Sequence, residues 1–596
     1  MMCALLAPLG ASPHDGGTSF VVWAPNATAV RVRLATSGRV VDMAAQEGGH
    51  WFVDVPGVAA GERYQYLIEA GGSQLGARVD PYAREIDVTD QGRHAVVHDG
   101  AAFDWGPDGY RAPGWTELVV YELHVGTFNE LPGQQVGTFA DASEKLPYLA
   151  DLGVNAVELL PPVEFPGARS WGYNPSDPFA VETAYGGPDA LKAFIRSAHA
   201  LGIAVIVDVV DNHMGTTDND LWQFDGPTPP PGGVWFYADR RIDTPWGSRP
   251  DYGRPEVRQY LLDNALMWLE EYRADGLRFD ATAWIRSVDG SLAPGQDIPD
   301  GWLLMRSIND AVDQRQPWKV RIAEDMRNDA QVTAPTSAGG AGFTAQWDPD
   351  FVRQVRGVLR QVDDPDRDMS VIASALERRY GADAFSRVVF TESHDADANG
   401  GTRVPAEIDP AQPDSVDAKK RSVLGAVLVF TAPGIPMIFE GQEILESHWF
   451  SDDFPIDWTN VQRHPGILAV YRDLARIRRD GWGTSRGLRG QGLQVHHVND
   501  ADKLVAYHRW DAGGPRDDTV VLVNLSTRPF DSYRIGLPRA GRWRVRVNTD
   551  WAGYDPAFGD HPSFDVDTDA QPYDGLPHSA SVGIGAYAAV ILSQDD

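Results

Sequence analysis

The sequence predicts an α/β chain: a (β/α)8 TIM barrel with a β-sandwich before it and another behind it. Two observations carry this. Between about residues 114 and 483, apolar runs alternate with stretches of helical period, eight times over. On either side, at 1–105 and 484–596, the texture changes to short alternating strands with turn residues between them.

In the first segment Val30, Val32 and Leu34 alternate with Arg31 and Arg33, as a half-buried strand requires. Tyr64 to Ile68 gives another strand, and Gly71-Gly72 supplies a turn. Phe103 to Pro113, rich in Gly, Pro and Asp, reads as a linker. Barrel strands are expected at Leu118–Val125, Ala156–Leu160, Ala204–Val210, Gly276–Ala281, Val320–Ala323, Phe343–Trp347, Val388–Glu392 and Pro436–Phe439. Helices lie between them: in Pro255–Tyr272, Val257, Leu261, Ala265 and Trp268 recur at helical spacing. The helical stretch Ile467–Arg479 ends the series. Parallel strands joined by crossover helices, repeated eight times, close most naturally into a barrel. An open doubly wound sheet would not place charged residues after so many strands. The third unit is irregular. A polar stretch at about 211–253, with Pro227 and Pro229-Pro230-Pro231, precedes its helix, and connections that long in a compact domain are usually functional. The last segment has strands at Leu504–Tyr507, Val520–Asn524, Trp543–Val547 and Ala586–Leu592.

At 596 residues, 43% apolar and 23% charged, the chain can hold one large catalytic domain and smaller companions. Its net charge of −32 would repel nucleic acid or an anionic membrane, so neither is an expected partner. A neutral polyol is indifferent to that charge. No apolar run approaches the ~18 residues of a membrane span. The only cysteine is Cys3, which excludes an intrachain disulfide and suits a reducing compartment. The opening Met1–Ala7 is apolar but short and lacks a basic residue, a poor signal peptide. A cytoplasmic location is expected. Gly487, Gly490 and Gly492 form no phosphate loop, and no His/Asp/Glu set has transition-metal spacing. Neither a cofactor nor a metal is expected.

Barrel enzymes place their chemistry at the carboxyl ends of strands. The third strand ends Asp208-Val209-Val210-Asp211-Asn212-His213 and the fourth Arg278-Phe279-Asp280. The fifth ends Ala323-Glu324-Asp325 and the seventh Glu392-Ser393-His394-Asp395. One such polar end could be a helix cap. Four charged or imidazole-bearing ends converging on one mouth point to a site.

These strings resemble the conserved regions of the α-amylase superfamily, glycoside hydrolase family 13. Trp171-Gly172-Tyr173 is similar to the family's aromatic-Gly-Tyr, and Phe20-Val21-Val22-Trp23-Ala24-Pro25 to the β-sandwich of carbohydrate-binding module family 48. The resemblance implies Asp280 as nucleophile, Glu324 as acid/base and Asp395 as a third carboxylate gripping two sugar hydroxyls. It implies hydrogen bonds to the same sugar from His213 and His394, stacking by Tyr173, and Asp208 holding Arg278. Two carboxyls about 5 Å apart are the chemistry of retaining glycoside cleavage. Arg278, two residues before Asp280 on one strand, faces the same side and would keep Asp280 ionised. Glu324 needs nearby anions or desolvation to stay protonated. Asn212 matches a position at which many amylases hold a structural calcium, but their other ligands are not evident. Two departures concern subsites. Asp211 stands where many relatives carry an uncharged residue, and Ala396-Asp397-Ala398-Asn399-Gly400 lacks the common Gln or Glu after Asp395. In the long third loop, Trp222, Phe224 and Trp235 are the candidates for extra glucose subsites.

An α-glucan or maltooligosaccharide substrate is therefore expected. Two subgroups share the domain order: 1,4-α-glucan branching enzymes and maltooligosyltrehalose trehalohydrolases. Ala323 to Asp329 leans towards the trehalohydrolase. Pro436 to Glu443 with Asp452 to Trp458, and the C-terminal β-domain, lean towards the branching type, which is the preferred expectation. A hydrolase of another α-amylase type, a 4-α-glucanotransferase and a non-catalytic glucan-binding protein are the alternatives.

Overall fold

A computed structural model describes residues 7–90, 92–107 and 109–595. Cys3 and the opening residues 1–6 lie outside the described residues, as does Asp108 of the expected linker. Eight parallel strands close into a barrel in chain order: Val120–Leu123 (β1), Ala156–Leu159 (β2), Ala204–Val209 (β3), Gly276–Phe279 (β4), Val320–Ala323 (β5), Ala345–Trp347 (β6), Arg387–Val389 (β7) and Ile435–Phe439 (β8). Each falls at an expected position. Strands covered on both faces are apolar throughout, and the alternation of side chains divides their residues between two cores. Val120, Ala156, Ile206, Ile322, Val388 and Met437 fill the interior. Val157, Val205, Leu277 and Phe279 join the layer beneath the surrounding helices. The helix Pro255–Glu270 starts on proline, whose fixed φ suits a first turn. It ends two residues earlier than its apolar period suggests, just before Arg273 turns left-handed (φ 58°).

The N-terminal strands form two antiparallel sheets. Val30, Val32 and Leu34 are buried as their alternation requires. Gly71 and Gly72, with φ of 58° and 79°, join Ala70 to Ser73 in a two-residue hairpin turn. After the barrel, a six-stranded antiparallel sheet packs on a two-stranded one through Leu504, Leu522, Ile535, Trp543 and Val582.

The connection between β3 and the helix at Pro255 corrects one expectation. It forms no helix of its own, and much of it docks on the N-terminal sheets. Asp225 accepts from the Asn26 backbone N–H at 2.7 Å, and Arg78 donates to the Phe224 carbonyl at 3.2 Å. Trp235 sits edge-on to Trp23 at 5.2 Å and to Tyr260 at 5.0 Å. With Phe224 0% and Trp235 3% exposed, neither ring has a face for a sugar; both are interdomain core. Trp235→Ala should therefore lower the melting temperature, equivalent to about 3–5 kcal/mol, while leaving KM for a long α-glucan unchanged. Calorimetry with steady-state kinetics checks this, and a raised KM at unaltered stability would restore the subsite reading.

Candidate active site

The site is built on one buried guanidinium. Arg278 of β4 contacts Asp208 of β3 at 2.6 Å and Asp280 at 3.0 Å through Nη1, and Glu324 beyond β5 at 2.9 Å through Nη2. The two nitrogens of one guanidinium are about 2.3 Å apart, so the tethered oxygens of Asp280 and Glu324 lie within about 8 Å of each other. The same Oδ2 of Asp208 accepts from the Tyr173 hydroxyl at 2.6 Å. Tyr173 reaches it because Gly172 turns the chain at φ 95°, where a Cβ would lie 2.2 Å from the Pro161 carbonyl oxygen. Ala281 is held left-handed (φ 41°), a conformation costing of order 1–3 kcal/mol for a residue with a Cβ. In return its N–H donates to Glu324 Oε2 at 2.8 Å.

His394 packs flat on Tyr173, ring centroids 5.0 Å apart. Its Nδ1 lies 2.6 Å from Glu122 of β1, and its Nε2 is 3.6 Å from Asp395. Asp395 opens into the cleft, its side chain 45% exposed. His213 differs from expectation. Its Nε2 donates to the Tyr173 carbonyl at 2.8 Å, and Nδ1 has no protein partner. Burial pushes the ring down to about 4, so at neutral pH it offers an acceptor, not a donor. Glu122, which sequence reasoning missed as a site residue, left one sign: a carboxylate in an otherwise apolar strand.

The carboxyls differ in acidity. Burial raises Glu324 to about 8, against the pull of Arg278 and with Asp280 and Asp395 adding to the rise. Burial raises Asp280 only to about 6, Arg278 opposing it, and Asp208 likewise to about 6. Burial alone would lower His394, but Asp395 and Glu122 carry it up to about 9. Asp211 is buried and raised to about 7. Asp397, the acid beyond Asp395, is fully buried and tied to Arg356 at 2.8 Å.

Around this layer, a cavity of about 360 Å³ opens beside Asp395, lined by Met326, Trp347, Val352 and Arg353. Larger cavities lie elsewhere, one of about 830 Å³ by Arg196 and Arg273, so size does not locate the chemistry. Trp222, 36% exposed, keeps an open edge against Phe236. Two rings that sequence reasoning passed over lie nearer. Trp246, 47% exposed, is 5.6 Å from His213 and 5.5 Å from Trp284. Nothing in the sequence marks which aromatic of a polar loop faces outward. Among the described residues no three His, Cys, Asp or Glu side chains are placed to share an ion, and Asn212 is fully buried with its amide unpartnered by protein.

Three family descriptions match the chain in order. "Carbohydrate-binding module 48 (Isoamylase N-terminal domain)" covers residues 8–83, "Alpha amylase, catalytic domain" 123–225 and "Alpha amylase, C-terminal all-beta domain" 495–595. The 1,4-α-glucan branching enzyme GlgB of Rhodospirillum rubrum is 31% identical over 631 residues, covering 98% of this chain and 82% of that protein. The chain belongs to the α-amylase family, glycoside hydrolase family 13. GlgB of Nocardia farcinica is likewise 31% identical, over 98% of this family 13 chain and 80% of its own. Among solved structures, type I pullulanase from Bacillus subtilis, complexed with maltose, superposes with a TM-score of 0.77. It is 23% identical and covers 100% of this chain and 86% of that one. The Anoxybacillus pullulanase complexed with maltotetraose gives 0.76 at 22% identity, over 98% and 87%. These two speak for the fold. The family makes this an enzyme active on α-glucans. No helix among the described residues is long and apolar enough to cross a membrane.

The exposed indole beside His213 carries a prediction. Trp246→Ala should raise KM for a long α-glucan by up to about tenfold, the worth of one lost ring contact, with kcat and melting temperature nearly unchanged. An unaltered KM would place Trp246 off the substrate's path.

Proposed function

We propose that this family 13 enzyme is a 1,4-α-glucan branching enzyme working with retention, with Asp280 as nucleophile and Glu324 as acid/base. The observation that carries the reading is the single guanidinium of Arg278 touching both carboxyls at once. Each acid is tethered by one oxygen and free at the other. Asp280 Oδ1 is held by Arg278, which leaves Oδ2 for the anomeric carbon. Glu324 Oε2 takes Arg278 and the Ala281 N–H, so its proton resides on Oε1.

In the first half-reaction Asp280 Oδ2 bonds to the anomeric carbon while Glu324 gives its proton to the departing glycosidic oxygen, and the C–O bond breaks. In the second, Glu324, now a carboxylate, takes the proton of the acceptor's 6-hydroxyl. That oxygen attacks the anomeric carbon, and the ester to Asp280 breaks. Arg278 keeps Asp280 ionised before it attacks and steadies the charge that returns to it as the ester breaks. His394, charged at neutral pH, and Asp395 are placed to grip the sugar's hydroxyls, and Tyr173 to meet its apolar face. His213, buried and donating from Nε2 to the Tyr173 carbonyl, fixes the backbone that carries Tyr173.

Relatives named as branching enzymes, at 30–31% identity over 98% of the chain, favour transfer over hydrolysis. The trehalohydrolase-like string after β5 carries less weight than it did in sequence. Arg286 clamps Asp325 at 2.6 Å and Asp329 at 2.8 Å, so those acids shape their loop and say little about the acceptor. Incubation with amylose should lower the iodine colour without releasing matching reducing ends. Stoichiometric reducing sugar would make the enzyme a hydrolase, and free trehalose from maltooligosyltrehalose would select the trehalohydrolase. Glu324→Gln should cut the rate by about 10²–10⁴-fold with the fold intact.

The pH profile follows from the same pair. Activity should fall below about pH 6 as Asp280 gains a proton, and above about pH 8 as Glu324 loses its own. The two limbs of kcat/KM report the pair as a whole. A profile still rising at pH 9 would rule out Glu324 as the acid.

A further inference from the structure

Strand β2 carries a carboxyl that the reaction above leaves unused. Ala156 faces the barrel interior with Val120 and Ile206, and Glu158, two residues on, faces the same way. It is 1% exposed. Since β2 lies between β1 and β3, Glu158 stands between two carboxylates of the catalytic layer. Glu122, its register partner on β1, holds His394. Asp208 lies two residues beyond its β3 partner Ile206 and holds Arg278. Neither oxygen of Glu158 has a hydrogen-bond partner in the protein, and Asp208 Oδ1 has none either.

An ionised carboxylate in that position would lose its hydration without a donor to replace it, at a cost of several kcal/mol. The charges that face it are Glu122, Arg278, Asp208 and His394, two of each sign, so no cationic field holds it open. Burial first, and then Glu122, push its pKa well above the usual carboxylate range. A protonated acid there is also a donor. Asp208 Oδ1 is the acceptor of this layer that lacks one.

We propose that Glu158 is a positioning residue for glucan cleavage: an uncharged acid on the barrel floor whose O–H donates to the carboxylate layer, and so keeps Arg278 and His394 where Asp208 and Glu122 hold them. This rests on the glucan-cleaving site described above and adds to it a group that never touches the sugar.

Three measurements test it. Glu158→Gln, uncharged and still a donor, should keep kcat and both pH limbs. Glu158→Met, similar in volume but no donor, should lower kcat about tenfold, the worth of a hydrogen bond to a charged group, with KM kept and the pH limbs displaced. The wild-type-minus-E158Q infrared difference spectrum at neutral pH should contain a carboxylic-acid C=O band and lack the matching carboxylate band. A Met variant with wild-type kcat and limbs overturns the proposal, as does a Gln variant as damaged as the Met one. A carboxylate band in the difference spectrum overturns the uncharged state. If the Met variant does not fold, the Gln kinetics and the spectrum still decide. Failure of the wild type to cleave any α-glucan would instead defeat the proposed function, and the spectrum would still report on Glu158.

Discussion

Everything at the mouth of this barrel depends on one ion cluster, the Arg278 guanidinium among Asp208, Asp280 and Glu324. A fully buried cation is tolerable only when paired, and three carboxyls would not share so small a space without a cation between them. Each condition supplies the other. Planarity matters as much as charge. Two nitrogens in one rigid fork set the separation of Asp280 and Glu324, the two acids proposed to react, which the point charge of a lysine could not do. Placing Arg278 two residues before Asp280 puts both on one face of β4 with no loop to position either.

The cluster in turn needs closure. Its members come from β3, β4 and the end of β5, while His394 beyond β7 is held by Glu122 of β1, so the constellation exists only when the sheet has wrapped round. Below it the interior is mainly apolar, with Ile206, Ile322 and Met437 around the inward-facing Glu158. That floor keeps the local dielectric low and raises the burial cost that separates Glu324 from Asp280 in acidity. The same floor makes the shared ion contacts stronger than they would be in water. Acidity split and geometry are thus two consequences of one placement.

Much of this was legible in sequence because it rests on local pattern. Apolar runs place all eight strands, and strand ends place Asp208, Arg278, Asp280, Glu324 and His394. What was illegible depends on partners far along the chain. Trp235 and Phe224 read as outward rings in a polar loop, yet Trp23, Arg78 and Asn26, well over a hundred residues away, bury them or their neighbours. Trp246 sits in the same loop with no such partner and stays exposed. The state of His213 was hidden for a related reason: its Nε2–H donates to a backbone carbonyl, that of Tyr173, and no side-chain pattern announces that. Glu122 and Glu158 were visible as charges in apolar strands. Their meaning required knowing that both point inward.

The carboxyl pair itself does not choose between water and a sugar hydroxyl. In the proposed mechanism, once a glycosyl ester forms on Asp280, Glu324 would take a proton from either, and water is far more abundant. Transfer wins only if an acceptor chain is already held with its 6-hydroxyl aligned, so that proximity outweighs water's concentration. The features able to hold such a chain lie outside the ion cluster, in exposed rings such as Trp246 and in the cleft beside Asp395. Loops carry these features and vary freely on a conserved barrel. On the proposed mechanism, the reaction's stereochemistry would be a property of the strands, and its acceptor a property of the loops. Relatives with the same buried cluster can diverge in product without altering a single catalytic atom.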